Sequence, residues 1–428
     1  MKNRLISKIT NSRHALYIMN YILCIILLSC ADSKTGTTVP EFLSDVKEIS
    51  AGDSHSVALR NDGTVWTWGR NYYCQLGTGD LLDRFTPVQI LKDSNNEDFE
   101  NVETVSVEHS HTAALKNGGT VWTWGNNYMG QLGDGTSGSG TNKSAPVQVK
   151  GEGGIGVLTG VKMVYAGGFW TIAVKNDDTV WAWGSNTQGQ LGDGTTTNRS
   201  APVQVKGEGG IGVLTDVKMV SGGWSHTVAV KDDGTVWAWG WNSGGKLLGG
   251  DIYEDSSIPV QVRGEGGVGF LTDVKMVSVG CDHTVAVKND GTVWAWGYNI
   301  YGQLGDGTYT DSSVPVKVKG EGGAGFLTDV KMVATGDYCT VAIKNDGSLL
   351  AWGDNSCGQF GNNSRTDSPY PVKTGDRWVT VAAGGYQHTV AIKIDGVVWS
   401  WGSNSSGELG DGTDTDRYTP GRVIVSGW

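Results

Sequence analysis

The chain has 428 residues, 66 of them glycine and 18 tryptophan, and a formal net charge of -11. An acidic chain without a lysine or arginine run lacks the electrostatic footprint of a nucleic-acid binder, which excludes DNA and RNA as partners. So much glycine beside so much tryptophan points to many tight turns between short, aromatic-packed strands, and hence to an all-β chain.

The first predicted element is an export signal over residues 1–29. Lys2, Arg4, Lys8 and Arg13 lead into an apolar run from Ala15 to Leu28, broken only by Asn20, and small residues follow. The run is short for a membrane span. Leu27, Leu28, Ser29 and Cys30 resemble the bacterial lipoprotein signal, in which the cysteine is acylated and becomes the new N-terminus. The expectation is a lipid-anchored protein of the cell envelope, with residues 30–45 as acylated cysteine and polar tether. Removal of the four basic residues would take the net charge from -11 to -15.

From Val46 to Trp428 one unit recurs. The sequence W-x-W-G ends at Gly69, Gly125, Gly184, Gly240, Gly297 and Gly402, and a variant with Leu350 for the first tryptophan ends at Gly353. These pairs hold 13 of the 18 tryptophans. Residues two apart on a strand share a face, so each pair predicts an aromatic ridge buried against the next sheet. The unit beginning at Val217 reads as four strands, with its second and third joined by a tight hairpin at Asp232, Asp233 and Gly234. Equivalent hairpins fall at Asn61, Asp62 and Gly63 and at Asn289, Asp290 and Gly291.

Around the tryptophans recur G-x-x-H-[ST], D-G-x-[VL]-x-x-W-G and N-x-x-G-Q-L-G. The last appears intact at Asn127, Gly130, Gln131, Leu132 and Gly133 and at Asn299, Gly302, Gln303, Leu304 and Gly305. The set resembles the regulator of chromosome condensation repeat family. That resemblance implies a seven-bladed β-propeller of four-stranded antiparallel blades over residues 46–428. Trp170 and Cys339 replace the histidine in repeats 3 and 6, and Lys246 to Gly249 distort the turn of repeat 4. How the ring closes is not readable from the phase of the repeats.

Candidate chemical motifs each have a structural reading. The spacing G-x-G-x-x-G, as at Gly151, Gly153 and Gly156 and at Gly320, Gly322 and Gly325, is followed by a β-like run instead of the helix a dinucleotide requires, so it reads as a loop. His55, His111, His226, His283 and His388 recur once per blade and stand apart around a ring. They read as histidines bonded to their own blade's backbone, with no metal set. Asp134, Asp193, Asp306 and Asp411 read as turn formers. Cys74, Cys281, Cys339 and Cys357 read as single thiols, with a Cys339–Cys357 bridge left open. No nucleophile–base pair and no cofactor motif stands out, so the expectation is a monomeric, non-enzymatic binding protein.

Function is expected on one rim. The loops joining strands one to two and three to four share an end of the propeller, and there the repeats differ. The variable positions include Tyr72, Tyr73, His109, Tyr128, Phe169, Trp224, Trp241, Tyr298, Tyr301, Tyr338 and Tyr386. Aromatic side chains on rigid loops give large contact area at little entropic cost, which suits a protein or surface-glycan partner. The alternative is guanine nucleotide exchange on a small GTPase, the activity of the family's founding member, although none of its exchange residues is matched here. A light-sensing role would rest on Trp170 and Trp224 alone, since the other tryptophans belong to the repeat.

Overall fold

A computed structural model describes residues 41–242, 254–383 and 387–425. Seven four-stranded antiparallel sheets follow one another along the chain, each built from one uninterrupted repeat. Blade 1 comprises Val46–Ala51, His55–Arg60, Val65–Gly69 and Arg84–Gln89. Blade 4 comprises Val217–Gly222, His226–Lys231, Val236–Gly240 and Ser256–Gln261, as its repeat predicts. Blade 7 begins at Trp378–Ala383 and ends at Arg417–Arg422. The first strands of all seven line a central channel with a cavity of about 320 Å³, into which Glu48, Thr104, Tyr165, Met219, Ser278 and Thr380 project.

The tryptophan ridges lie between blades. Trp237 and Trp239 of blade 4 pack in one cluster with Ile172, Val174, Val180 and Ala182 of blade 3, and Trp68 of blade 1 packs likewise on Val390, Ile392 and Val398 of blade 7. The two members of a pair bond differently. In blades 1, 3, 4 and 5 the first donates its indole N–H to the hairpin threonine before it, as Trp237 does to Thr235 at 3.2 Å, and Trp237 lies under the lysine that ends the second strand, Lys231. The second is fully buried and reaches the preceding blade: Trp239 Nε1 donates to the Gln190 carbonyl at 2.9 Å.

That carbonyl accepts twice. Thr227 Oγ1 donates to it at 2.8 Å, and the same double contact joins Thr171 and Trp183 to Gln131, Thr340 and Trp352 to Gln303, and Thr389 and Trp401 to Gln359. The glycine that closes G-Q-L-G follows from this latch. At Gly192, φ is +70° and an added Cβ would stand 2.7 Å from Trp239 Nε1, so only glycine fits.

The ring closes in two ways. Across the seam, Ser56 and Trp68 of blade 1 both donate to the Glu408 carbonyl of blade 7, which repeats the latch used elsewhere. In addition Glu41 and Phe42 pair antiparallel with Val425 and Ile424. Leu43 then bonds Val423 and Val398 through its backbone and buries its side chain at the seam. Residues ahead of Val46 are thus part of the ring. Cys30 and the rest of residues 1–40 lie outside the described residues, as do Lys246 to Gly249 of the distorted turn.

Candidate binding rim

The backbone places both variable loops at one end of every blade. His55 pairs with Gly69 across strands two and three, and the Arg70 amide donates to the Ser54 carbonyl at 2.8 Å, tying the two loops together. Gly69 has φ +101°, and a Cβ there would come within 2.5 Å of that carbonyl, which is why W-x-W always ends in glycine. The first of these loops also bond around the ring, Gly168 to the Gly223 carbonyl at 3.1 Å and Cys281 to the Asp337 carbonyl at 3.3 Å.

Several of the expected residues meet on this rim. His109, Phe169 and Trp224, from three successive blades, stack with ring centroids 4.4 Å apart for the first two and 6.5 Å for the last two. Trp224, Trp241 and Tyr338 line one cleft of about 320 Å³ together with Gln188, Cys281 and Asp282. Tyr301 and Tyr338 pair at 5.2 Å. Tyr72 contacts Tyr73 at 4.8 Å, and Tyr72 and Tyr128 stand 65% and 60% exposed outside that patch. Tyr298 is half-buried. Tyr386 lies outside the described residues.

The sequence reading singled out aromatic side chains here and passed over three acids at the channel mouth. Asp53 and Asp337 occupy the first variable position of G-x-x-H in blades 1 and 6, and Glu108 replaces the glycine of blade 2. Their carboxylate oxygens lie within 4.8 Å of one another. Burial and mutual repulsion hold Glu108 and Asp337 well above the usual carboxylate range. Asp53 is also raised by burial, opposed by His109 at 3.3 Å. The legible signal was Glu108, where Gly52, Gly167, Gly223, Gly280 and Gly336 leave no side chain.

Comparison with known proteins agrees with this architecture. The RCC1-like domain matches residues 30–326, and the regulator of chromosome condensation (RCC1) repeat matches residues 346–392 and 395–427. The ultraviolet-B receptor UVR8 of Arabidopsis thaliana is 34% identical over 344 residues, covering 79% of this chain and 73% of the receptor. The chain belongs to the regulator of chromosome condensation repeat family. Solved structures share its fold: human WBSCR16 with TM-score 0.70 at 22% identity, covering 85% of this chain and 95% of that one. Prp20p from Saccharomyces cerevisiae gives TM-score 0.71 at 22% identity, covering 86% and 87%.

Within this family member the recurring histidines correct the sequence reading. None is satisfied by its own blade as expected. Each donates or accepts across the blade boundary through Nε2: His111 to Thr171 at 2.9 Å, His283 to Thr340 at 3.0 Å, and His388 to Ser56 at 2.9 Å over the ring seam. The residues after the histidine are hydroxyl-bearing because they serve the neighbouring histidine and the glutamine carbonyl together. Desolvation lowers the pKa of His55, His111, His226 and His283 to about 3 and of His388 to about 4, so all five are neutral in the fold.

The remaining motifs are structural. Each G-x-G-x-x-G segment folds back on itself, with a single 3₁₀ turn such as Glu152–Gly154 inside a bridge between Lys150 and Val157. Asp134 caps its own turn, accepting from the Thr136 amide at 2.9 Å and from Asn127. All four cysteines of the ring are free, and the bridge left open between Cys339 and Cys357 is not formed. Cys357 instead donates to Gln387 at 2.7 Å.

Proposed function

We propose that this chain is a non-enzymatic binding protein that holds a protein or surface-glycan partner on the rim carrying His109, Phe169, Trp224, Trp241 and Tyr338. The observation that carries the reading is a contrast between layers. Beneath the rim the latch residues repeat from blade to blade; on it, side chains that differ between blades gather into a contiguous patch of aromatic rings beside acids. Packing within one chain explains recurrence and leaves this variation without a role, whereas a partner with one particular surface requires it. Tyr72, Tyr73, Tyr128, Tyr298 and Tyr301 extend the same face, and Tyr386, outside the described residues, joins the proposal by its place in the repeat.

Relatives of this fold support a protein partner: Prp20p is described by its binding to Gsp1p and histones, and a further structure holds it bound to Kap60. Exchange on a small GTPase is the second reading, favoured by family membership. We place the chain in a bacterial cell envelope, exported, cleaved before Cys30, acylated there and monomeric, because charge, apolar length and cleavage residues agree over residues 1–30. The intact mass of the membrane-extracted protein should show loss of residues 1–29; retention of Met1 would remove the anchor from the proposal.

The rim is tested with two variants against the partner recovered by native capture. Phe169→Ala with Trp224→Ala and Trp241→Ala should stay folded and weaken binding at least about thirtyfold, the effect of losing one anchor worth about 2 kcal/mol. Glu208→Lys with Glu265→Lys, exposed on the opposite rim, should leave affinity nearly unchanged. The reverse outcome would place function on the other face, and release of labelled guanine nucleotide from a captured GTPase would favour the second reading.

A further inference from the structure

The three acids at the channel mouth come from blades 1, 2 and 6, and they converge by departing from the repeat. Asp53 follows the first strand of blade 1, Glu108 ends a first strand that is one residue longer than its counterparts in blade 2, and Asp337 follows the first strand of blade 6. In blade 2 the extra residue pairs with His111, and the chain turns immediately through His109 at φ +39°. That turn carries the Glu108 carboxylate to the place where five other blades have only a glycine hydrogen.

Distances within the group fit one hard cation. Calcium holds oxygen ligands at about 2.3–2.6 Å, so two ligand atoms on opposite sides of one ion stand roughly 4.6–5.2 Å apart. All pairs here lie within 4.8 Å.

A second observation concerns what Asp337 lacks. The residue is only 7% exposed, its carboxylate is directed at the other two, and burial and repulsion by Asp53 and Asp282 act on it among the described residues, with no hydrogen bond. Glu108 has none either. Buried carboxylates are ordinarily paired with donors, cations or metals, and these face each other instead. The other charged or titratable groups facing them are His109, 3.3 Å from Asp53, with Arg70, Asp282 and Tyr165 beyond, and Cys281, Tyr338 and Cys339 beside Asp337.

We propose that Asp53, Glu108 and Asp337 together bind a calcium ion at the mouth of the central channel. The ion supplies the positive charge that three converging acids demand, and backbone carbonyls or water complete its shell. It joins blades 1, 2 and 6 across the axis. Because His109 and Tyr338 adjoin two of the ligands in sequence, the ion also fixes the loops that carry part of the aromatic patch.

Calorimetric titration of the chelator-treated full chain with calcium chloride tests the proposal. One ion per chain should bind. Terbium should bind in calcium's place and luminesce on tryptophan excitation, since Trp224 lies 6.1 Å from His109. Glu108→Gln with Asp337→Asn should lower calcium affinity at least about tenfold while its metal-free melting temperature equals or exceeds that of the parent, because unpaired buried charge is removed. Should that pair fail to fold, the less buried Asp53→Asn is expected to show the same loss. No saturable binding up to about 10 mM, above the weakest range of extracellular calcium modules, would overturn the proposal. So would an affinity unchanged in either variant, or tighter binding of magnesium than of calcium.

Discussion

At the residue scale, the two tryptophans of a pair are alike in sequence and unlike in duty. Trp237 is 7% exposed and seals the blade edge under Lys231, whereas Trp239 is wholly enclosed and carries the inter-blade hydrogen bond. Trp237→Ala should destabilise by roughly 3–5 kcal/mol, as for other large buried aromatics, measured as the shift in denaturant unfolding. A change no larger than that of a surface substitution would mean the ridge does not pack between blades. The histidines give a pH dependence of definite sign. Desolvation, with a smaller contribution from His283, holds His226 neutral down to about pH 3, whereas the unfolded chain takes up a proton near 6.5. Its contribution is therefore complete above pH 6.5 and is lost as pH falls from there towards 3. By pH 5 the loss is about 2 kcal/mol per histidine. In His226→Gln the drop in unfolding free energy between pH 7 and pH 5 should be smaller by about that amount. An equal drop would show that the ring is protonated within the fold.

At the element scale, strands and hairpins were legible because their signals are local. The alternation of Val, Ala and Trp, and the Asp-Gly turns, lie within a few residues of one another, and the strands fall where they predict. The latches were not legible in the same way. G-Q-L-G reads as a turn, and it is one, but its spacing also delivers the glutamine carbonyl to a tryptophan and a hydroxyl of the next repeat, a contact no local pattern reveals. The histidine was misassigned for the same reason: its partner is in another blade. The rim was legible as a set of varying positions, while the convergence of Asp53, Glu108 and Asp337 depends on ring geometry that the sequence does not display. Gly192→Ala tests the latch directly. A Cβ at φ +70°, 2.7 Å from Trp239 Nε1, should cost about 2–4 kcal/mol from left-handed strain and overpacking. Thermal unfolding checks this against Gly194→Ala, also at positive φ but with nothing nearer than 3.7 Å. Equal losses would assign the whole effect to backbone conformation and none to the tryptophan.

For the whole molecule, stability is cooperative only as far as neighbouring blades are coupled, since each sheet touches the two beside it and no single core spans the ring. The seam between blades 7 and 1 is the one boundary where chain continuity does not help. It carries the ordinary latch, Ser56 and Trp68 on the Glu408 carbonyl, together with the His388–Ser56 contact. Glu41 to Leu43 are an addition found at no other boundary among the described residues, with the Leu43 carbonyl accepting from Val398 at 3.0 Å and its amide donating to Val423 at 3.1 Å. If that segment closes the ring, its loss should act first at the seam. A chain beginning at Ser44 should therefore show faster hydrogen exchange at Val398 and Val423 than the parent, while Val228 and Val285, deep in blades 4 and 5, keep their protection until the seam has opened. The single substitution Leu43→Ala should act in the same direction, at about 2–5 kcal/mol for a buried leucine. Uniform acceleration in all blades would mean that the ring opens as one unit. Unchanged exchange at the seam would mean that the latch alone holds it shut.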